Sequence, residues 1–305
     1  MGRPLLTRFA PAPTGALHVG HVVNAIYVWG LARVLEGRVI LRIEDHDRQR
    51  SRPEFERALI DDLDWLGFVA DIYPTDCYRR GPCDGRQSER DAVYRSALAP
   101  LVESGLVYGC RCSRADLAPS SSSSGADGDN AERRYPGTCR DKQIPLDEDE
   151  GISWRLRMAP GLETFDDLLL GPQPQDPSAQ CGDLLLRDRL CNWTYQCAVT
   201  VDDAVQNVTL VVRGEDLLPS TGRQLRLAWL IGRTAPPLFL HHPLIMKSPT
   251  QKLSKSDGDT GIRDLRTAGW TPADVIGHAA RLAGLTTTST PLPAADLVSL
   301  FDVRT

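Results

Sequence analysis

Two imidazoles one helical turn apart, His18 and His21, follow a Pro/Gly turn in the segment RFAPAPTGALHVGH. About 230 residues later, two ammonium groups, Lys252 and Lys255, sit in the segment KLSKS. This pairing suits phosphate chemistry. A turn that leads from a strand into a helix aims backbone N–H groups and the positive end of the helix dipole at one spot, which favours an anion. His18 and His21 can donate hydrogen bonds to phosphate oxygens whose charge grows when an α-phosphorus is attacked. Gly20 keeps the backbone low enough for a nucleotide to lie over it. Lys252 and Lys255 can bring positive charge to a pentavalent transition state, where catalysis comes from positioning and electrostatics. The residues depart from G-x-G-x-x-G, so a dinucleotide fingerprint does not fit.

A second constellation is Cys110-x-Cys112 with Tyr135 and Cys139 downstream. Three thiolates and a phenolate could hold Zn²⁺ in a tetrahedral, purely structural site. The competing reading is reduced thiols on a loop. Cys77, Cys83, Cys181, Cys191 and Cys197 show no ligand spacing and read as small, reduced residues, because a chain without a secretory signal is not expected to carry a disulfide framework.

The elements around these residues alternate. Leu5 to Ala10 reads as a strand, and a helix fits Val19 to Leu35, with Val22, Ala25, Ile26, Trp29 and Ala32 as its apolar stripe and Gly37 as its stop. A strand from Val39 to Ile43 runs into Glu44-Asp45-His46-Asp47. A helix begins near Pro53 and stops at Gly67, and another follows Ser88, whose hydroxyl and Asp91 approximate a capping box. Strand–helix alternation at this density predicts an α/β fold of Rossmann type, with a parallel nucleotide-binding sheet.

Between Val107 and Cys181 the pattern changes. The segment has the Cys residues, five serines from Ser120 to Ser124, an acidic run from Asp147 to Glu150 and one clear strand candidate, Ile152 to Met158. The polar stretch from Ser120 to Asn130 has too little apolar surface to order itself. The expected organisation is therefore residues 1–106 as the first half of the catalytic domain, 107–182 as an inserted zinc-binding module, and 183–305 as the second half with the KLSKS loop and a short helical tail. Asp183 to Arg187, Val208 to Val212 and Leu238 to His241 read as strands. Gln224 to Ile231, Ile262 to Arg266 and Ala273 to Leu282 read as helices.

The chain has 305 residues, is 41% hydrophobic and 25% charged, and carries a net charge of −5. These values fit an ordinary globular protein long enough to bury a sizeable core. No apolar run approaches the roughly 20 residues of a membrane span, and no signal-peptide pattern opens the chain, so a cytoplasmic location and no membrane partner are expected. The acidic balance argues against general nucleic-acid binding, although a local basic face would suffice for phosphate. Arg79/Arg80, Arg133/Arg134, Arg187/Arg189 and Arg223/Arg226 are the candidates for such a face, against the plainer reading of a mixed-charge surface.

HVGH and KLSKS match the two nucleotide motifs of the class I aminoacyl-tRNA synthetases, and RFAPAPTGALHVGH, LRIEDHD, WTYQCAVTVDD and LVVRGEDLLPST resemble the glutamyl branch. The likeness extends over nearly the whole chain up to Ser256. It implies a ligase with ATP as substrate together with Mg²⁺, His18, Gly20, His21 and Lys255 at the ATP, and His18, His21, Lys252 and Lys255 as the catalytic set. It places Arg8, Phe9, Ala10, Pro11, Ala12, Glu44, Tyr195 and Arg213 around glutamate. Arg8 and Arg213 suit its carboxylates, Glu44 its ammonium, and the Tyr195 phenol one carboxylate; which Arg meets which carboxylate stays open. The family usually has Ser where this chain has Ala12, so one hydroxyl is missing. Tyr135-Pro136-Gly137-Thr138-Cys139 resembles the Y-x-G-x-C pair of the glutamyl-queuosine tRNA(Asp) synthetase group, and about 50 residues after KLSKS leave no room for the usual anticodon-binding region. The resemblance thus implies queuosine-bearing tRNA(Asp) as acceptor, with no obligate protein partner evident. The alternatives are a truncated glutamyl-tRNA synthetase, a ligase of the same fold acting on a small molecule, and a non-catalytic nucleotide- or tRNA-binding regulator.

Overall fold

The first strand, β1 (Leu6–Phe9), pairs in parallel with β2 (Arg38–Leu41), and the crossover between them is α1 (Val19–Val34). The computed structural model describes residues 4–113, 115–117, 134–146, 150–248, 251–252 and 261–301. Helix α1 ends at Gly37, where any Cβ would run into the Leu5 side chain. Its apolar residues extend beyond the expected stripe: Val23, Tyr27 and Val28 are also buried, because α9 (Pro272–Leu282) and the turn at Ala294–Leu300 cover the far side.

The β1–β2 pair continues a larger sheet. Strands β5 (Glu163–Asp167), β9 (Leu238–His242) and β8 (Leu210–Gly214) lie side by side in parallel, and β6 (Gly171–Gln175) closes one edge as the antiparallel partner of β5. Thr209 links this sheet to β1: its N–H donates to the Leu6 carbonyl at 2.8 Å, and its hydroxyl accepts the Leu6 N–H at 2.8 Å. The expected α/β fold with a parallel sheet is therefore what the chain adopts. Helix α2 (Pro53–Leu66) buries Leu59, Ile60, Leu63 and Leu66 and stops at Gly67, whose φ of 82° is left-handed. Each such side chain contributes about 1.5–3 kcal/mol relative to exposure.

A second sheet is antiparallel, in the order β3 (Val107–Cys110), β4 (Ser153–Leu156) and β7 (Leu184–Arg187). It packs with α4 (Asp91–Glu103) and α6 (Tyr195–Val205) around a core that includes Tyr94, Leu98, Trp154 and Trp193. Between Val107 and Cys181 the sequence offered one clear strand, whereas the described residues form four there, two in each sheet, followed by the short helix α5 (Pro177–Cys181). The Ser120–Ser124 tract lies outside the described residues. The remaining elements are α3 (Thr75–Arg79), α7 (Thr221–Leu230), the short pair β10 (Met246–Ser248) and β11 (Gln251–Lys252), and α8 (Ile262–Thr267).

Two expectations are corrected. Cys77 and Cys83 are not reduced thiols: they form a disulfide, with Cα atoms 5.9 Å apart. After α3 the chain turns back through Gly81 at φ 123°, which brings the second thiol over the first. Ser88 does not cap a helix. Its N–H and hydroxyl both donate to the Asp45 carboxylate, and α4 starts at Asp91 after Arg90. Of the arginines weighed for a basic face, three are engaged within the fold. Arg79 meets Asp61, Asp64 and Asp76, Arg226 meets Glu163, and Arg187 is buried over the Trp154 and Trp193 rings.

Gly182 makes the sharpest demand on residue type. Its φ is 67°, and an added Cβ would lie 2.1 Å from the Tyr135 carbonyl oxygen. Gly182→Ala should therefore lower stability by at least about 2 kcal/mol, since a strained backbone region and a backbone clash add. A urea midpoint unchanged from wild type would contradict this.

Candidate active site

A cleft of about 800 Å³ opens at the carboxyl ends of β1, β8 and β9 and the amino end of α1. Its wall includes Arg8, Ala10, His18, Gly20, His21, Glu44, Tyr195 and Arg213, which are eight residues singled out by sequence. Phe9 instead points into the core, where it packs 5.2 Å from Trp29. Pro11 contributes its carbonyl, which accepts the Glu44 N–H at 3.0 Å, and Ala12 begins the tight turn closed by the Thr14 N–H. Lys252 ends β11, and Lys255 lies outside the described residues.

His18 caps α1. Its Nδ1 accepts the Gly20 N–H at 3.1 Å, and its own N–H donates to His21 Nδ1 at 3.2 Å. Both rings thus use Nδ1 as an acceptor, which in the neutral imidazole places hydrogen on Nε2. Of the backbone N–H groups at this turn, that of Gly20 is taken by His18. An added Cβ at Gly20 would sit 2.9 Å from the His18 ring. The segment after KLSKS returns to this turn, where Gly261 bridges His18 and the Ile262 N–H donates to the Leu17 carbonyl at 3.0 Å.

Arg8 is aimed from below. Its Nε donates to both Asp203 oxygens at 3.1 and 3.3 Å, and its Nη1 donates to the Val212 carbonyl at 3.2 Å. Asp203 also accepts from Arg42 at 2.8 Å, and Arg42 reaches Glu44 at 3.3 Å. Burial raises the Asp203 pKa, but Arg8 and Arg42 overcome it and hold the carboxyl below its usual range. Glu44 goes the other way: burial pushes it up, and Arg42, His46 and Arg8 offset only part of that. An arriving ammonium would favour its charged form. Arg213 on β8 is held at four points, by His241, Gln224, Thr221 and Tyr195.

Sequence reading missed several residues here. Asn24, Asp216 and His242 line the cleft, with His242 stacked on Tyr27 at 4.9 Å and within 3.2 Å of Asn24. Arg42, Asp202 and Asp203 lie behind it. The consecutive acids Asp202 and Asp203 inside a mostly apolar helix were the available signal.

Apart from the cleft, Cys110, Cys112 and Cys139 bring their sulfurs within 4.8 Å of one another. The Tyr135 hydroxyl is 3.4 Å from Cys110 Sγ and accepts the Cys139 N–H at 2.8 Å. Strand β3 supplies the first Cys, and Gly137 at φ 86° turns the chain between Tyr135 and Cys139. The donor set is soft, compact and mostly buried, and it fits a thiolate-preferring metal.

The family profile of the class I tRNA synthetases (E and Q), catalytic domain, matches residues 4–291. The chain belongs to this family. It is a ligase of the class I aminoacyl-tRNA synthetase type. Similar proteins include the glutamyl-Q tRNA(Asp) synthetases of Symbiobacterium thermophilum, 43% identical over 98% of this chain and 93% of the relative, and of Nitratidesulfovibrio vulgaris, 39% identical over 98% and 92%. A glutamate–tRNA ligase 2 of Syntrophus aciditrophicus is 38% identical over 90% of this chain but 56% of its own length. Among solved structures, a glutamate tRNA ligase from Elizabethkingia meningosepticum, crystallised with its amino acid, superposes with a TM-score of 0.77 at 26% identity. That match covers 98% of this chain and 65% of the other, so the synthetase spans just under two thirds of it. No helix among the described residues is long and apolar enough to cross a membrane.

The lowered pKa of Asp203 carries a sign. The stability that this carboxylate gives the synthetase is complete above its unfolded pKa of about 4 and is lost as pH falls through the lower folded value. Melting temperatures followed from about pH 7 to about pH 3 should therefore drop more steeply for wild type than for Asp203→Asn. Parallel curves would remove the linkage.

Proposed function

We propose that this synthetase activates glutamate with ATP and passes the glutamyl group to queuosine in the anticodon of tRNA(Asp). The observation that carries the first half is the convergence of two cation-bearing side chains, Arg8 and Arg213, with Glu44 and Tyr195 in the cleft that also holds His18 and His21. An amino acid with two carboxylates needs two guanidinium groups and one anion, and this wall supplies them. In the reaction, a carboxylate oxygen of glutamate attacks the α-phosphorus of ATP, pyrophosphate leaves, and an acyl adenylate remains. The Nε2–H groups of His18 and His21 would stabilise charge on the phosphate oxygens, with Lys252 and Lys255 of the second motif approaching the same phosphates and Mg²⁺ accompanying ATP. In the second step the acceptor attacks the acyl carbon and AMP departs.

The choice of acceptor rests on the relatives named glutamyl-Q tRNA(Asp) synthetase. Transfer to a tRNA 3′ end is the second reading, favoured by the likeness to the glutamate–tRNA ligases. Glutamate-dependent ATP–pyrophosphate exchange should proceed without tRNA, and labelled glutamate should then join tRNA(Asp) that carries queuosine but not the unmodified form. Charging of tRNA(Glu) instead would establish the second reading.

The thiol cluster would hold one structural Zn²⁺ through Cys110, Cys112, Cys139 and the Tyr135 phenolate, joining β3 to the 135–139 turn within the proposed 107–182 module. The ion would supply cross-linking and no step of the reaction. Cys139→Ser should bind less than one zinc per chain and melt at lower temperature than wild type; full zinc content in the variant would remove Cys139 from the ligand set.

A further inference from the structure

Behind Arg213 lie two buried side chains, Asp167 and His241, that the reaction above does not use. Asp167 on β5 is held by its own hairpin turn, since its Oδ1 accepts the N–H groups of Leu169 and Leu170 at 3.0 Å each. Its Oδ2 faces His241 on the neighbouring strand β9, accepting the His241 backbone N–H at 3.0 Å and lying 2.7 Å from His241 Nδ1. The opposite ring nitrogen, Nε2, is 3.0 Å from Arg213 Nε. Both Asp167 and His241 are fully enclosed, with side-chain exposures of 0% and 0%.

The protonation pattern follows from the partners alone. A guanidinium only donates, so His241 Nε2 must accept. An ionised carboxylate only accepts, so Nδ1 must carry the hydrogen. Burial, together with Arg213, pushes the His241 pKa down to about 4, which keeps the ring neutral across the working range. Around the guanidinium, Nη1 donates to Gln224 at 2.8 Å and reaches Tyr195 at 3.3 Å, and Nη2 donates to Thr221 at 2.8 Å. One Nη2 hydrogen has no partner among the described residues. If the imidazole flipped to its other tautomer, two N–H groups would face each other at the Nε contact and the guanidinium would have to rotate.

We infer that Asp167 and His241 are positioning residues: they fix one imidazole tautomer, and through it the aim of Arg213, so that the cleft selects an amino acid with an anionic group at that guanidinium. This rests on the reading of the cleft as an amino-acid site. It differs from the roles of Arg8 and Arg213 themselves, because neither Asp167 nor His241 lines the cleft. The β5–β6 hairpin, which lies between the two halves of the parallel sheet in sequence, thereby becomes part of the specificity apparatus. The same coupling explains why a carboxylate is placed at a strand end where three N–H groups and one imidazole all need an acceptor.

The test uses the full chain in ATP–pyrophosphate exchange, with glutamate and glutamine as alternative substrates. In Asp167→Asn, whose amide no longer dictates the tautomer, KM for glutamate should rise about 10- to 100-fold while KM for ATP and kcat change little, as expected for a misaimed binding group. The preference for glutamate over glutamine should fall by a similar factor. His241→Gln, which can accept from Arg213 and donate to Asp167, should retain more of that preference than His241→Leu. Nitrogen NMR of wild type should show hydrogen on His241 Nδ1 and none on Nε2, a readout that needs no variant and no activity. The opposite tautomer, or an unchanged KM for glutamate in a folded Asp167→Asn, overturns the inference. Absence of exchange in wild type would instead count against the amino-acid reading and leave the tautomer result to decide the positioning on its own.

Discussion

The guanidinium of Arg42 is fully buried and sits among three carboxylates, those of Asp202, Asp203 and Glu44. Taking such a group out of water costs several kcal/mol, which only close and well-oriented partners recover. The partners here come from β2's own end and from α6, which is distant in sequence, so satisfying one cation fixes a helix against the sheet. Asp203 then holds Arg8, while Asp202 collects Arg90, Tyr94 and Gln87, and Gln87 lies 2.6 Å from His46. The proposed amino-acid end of the cleft is thus the visible edge of a buried ionic lattice. An apolar replacement could fill the same volume, but it would leave Arg8 and Glu44 without a fixed orientation.

Much of the first half was legible because its signals are local. Pro53 and Gly67 bracket α2, Gly37 ends α1, and strand–helix alternation makes a parallel sheet the economical arrangement. Helix α6 was not legible. Tyr195 to Val205 buries Thr200, Asp202 and Asp203 along with Val199 and Val201, so no apolar stripe repeats at 3.6 residues. The β5–β6 hairpin was hidden for a different reason. Pro172 and Pro174 argue against a strand, yet β6 is an edge strand, where a missing N–H costs nothing in the ladder. Of the cleft, the residues in motifs were readable, whereas Arg42, Asp167 and His241 acquire meaning only from partners that folding brings to them. The Cys77–Cys83 bridge belongs with these, since the turn at Gly81 creates it.

The two nucleotide motifs are linked by backbone as well as by shared chemistry. Gly261 pairs with His18 at the start of α1, and β10 follows Ile245, which lines the cleft. Both flanks of the KLSKS segment are therefore attached to the site, one to the imidazole turn and one to the wall opposite. The imidazoles in turn use their Nδ1 atoms to organise that turn.

Asp183 gives the thiol cluster an unusual starting point. Its side chain accepts from the Tyr108 hydroxyl, from Arg140 twice and from the Met158 N–H, and thereby staples the strand that carries Cys110 to the turn that carries Cys139. Many small metal sites are assembled by the ion itself, so that binding energy is consumed in ordering the chain. Here the arms are already held by a carboxylate that takes no part in ligation. The ion proposed for this cluster would then bind to arms that are already ordered, so that its binding energy would add to the stability of the fold instead of being consumed in assembling it.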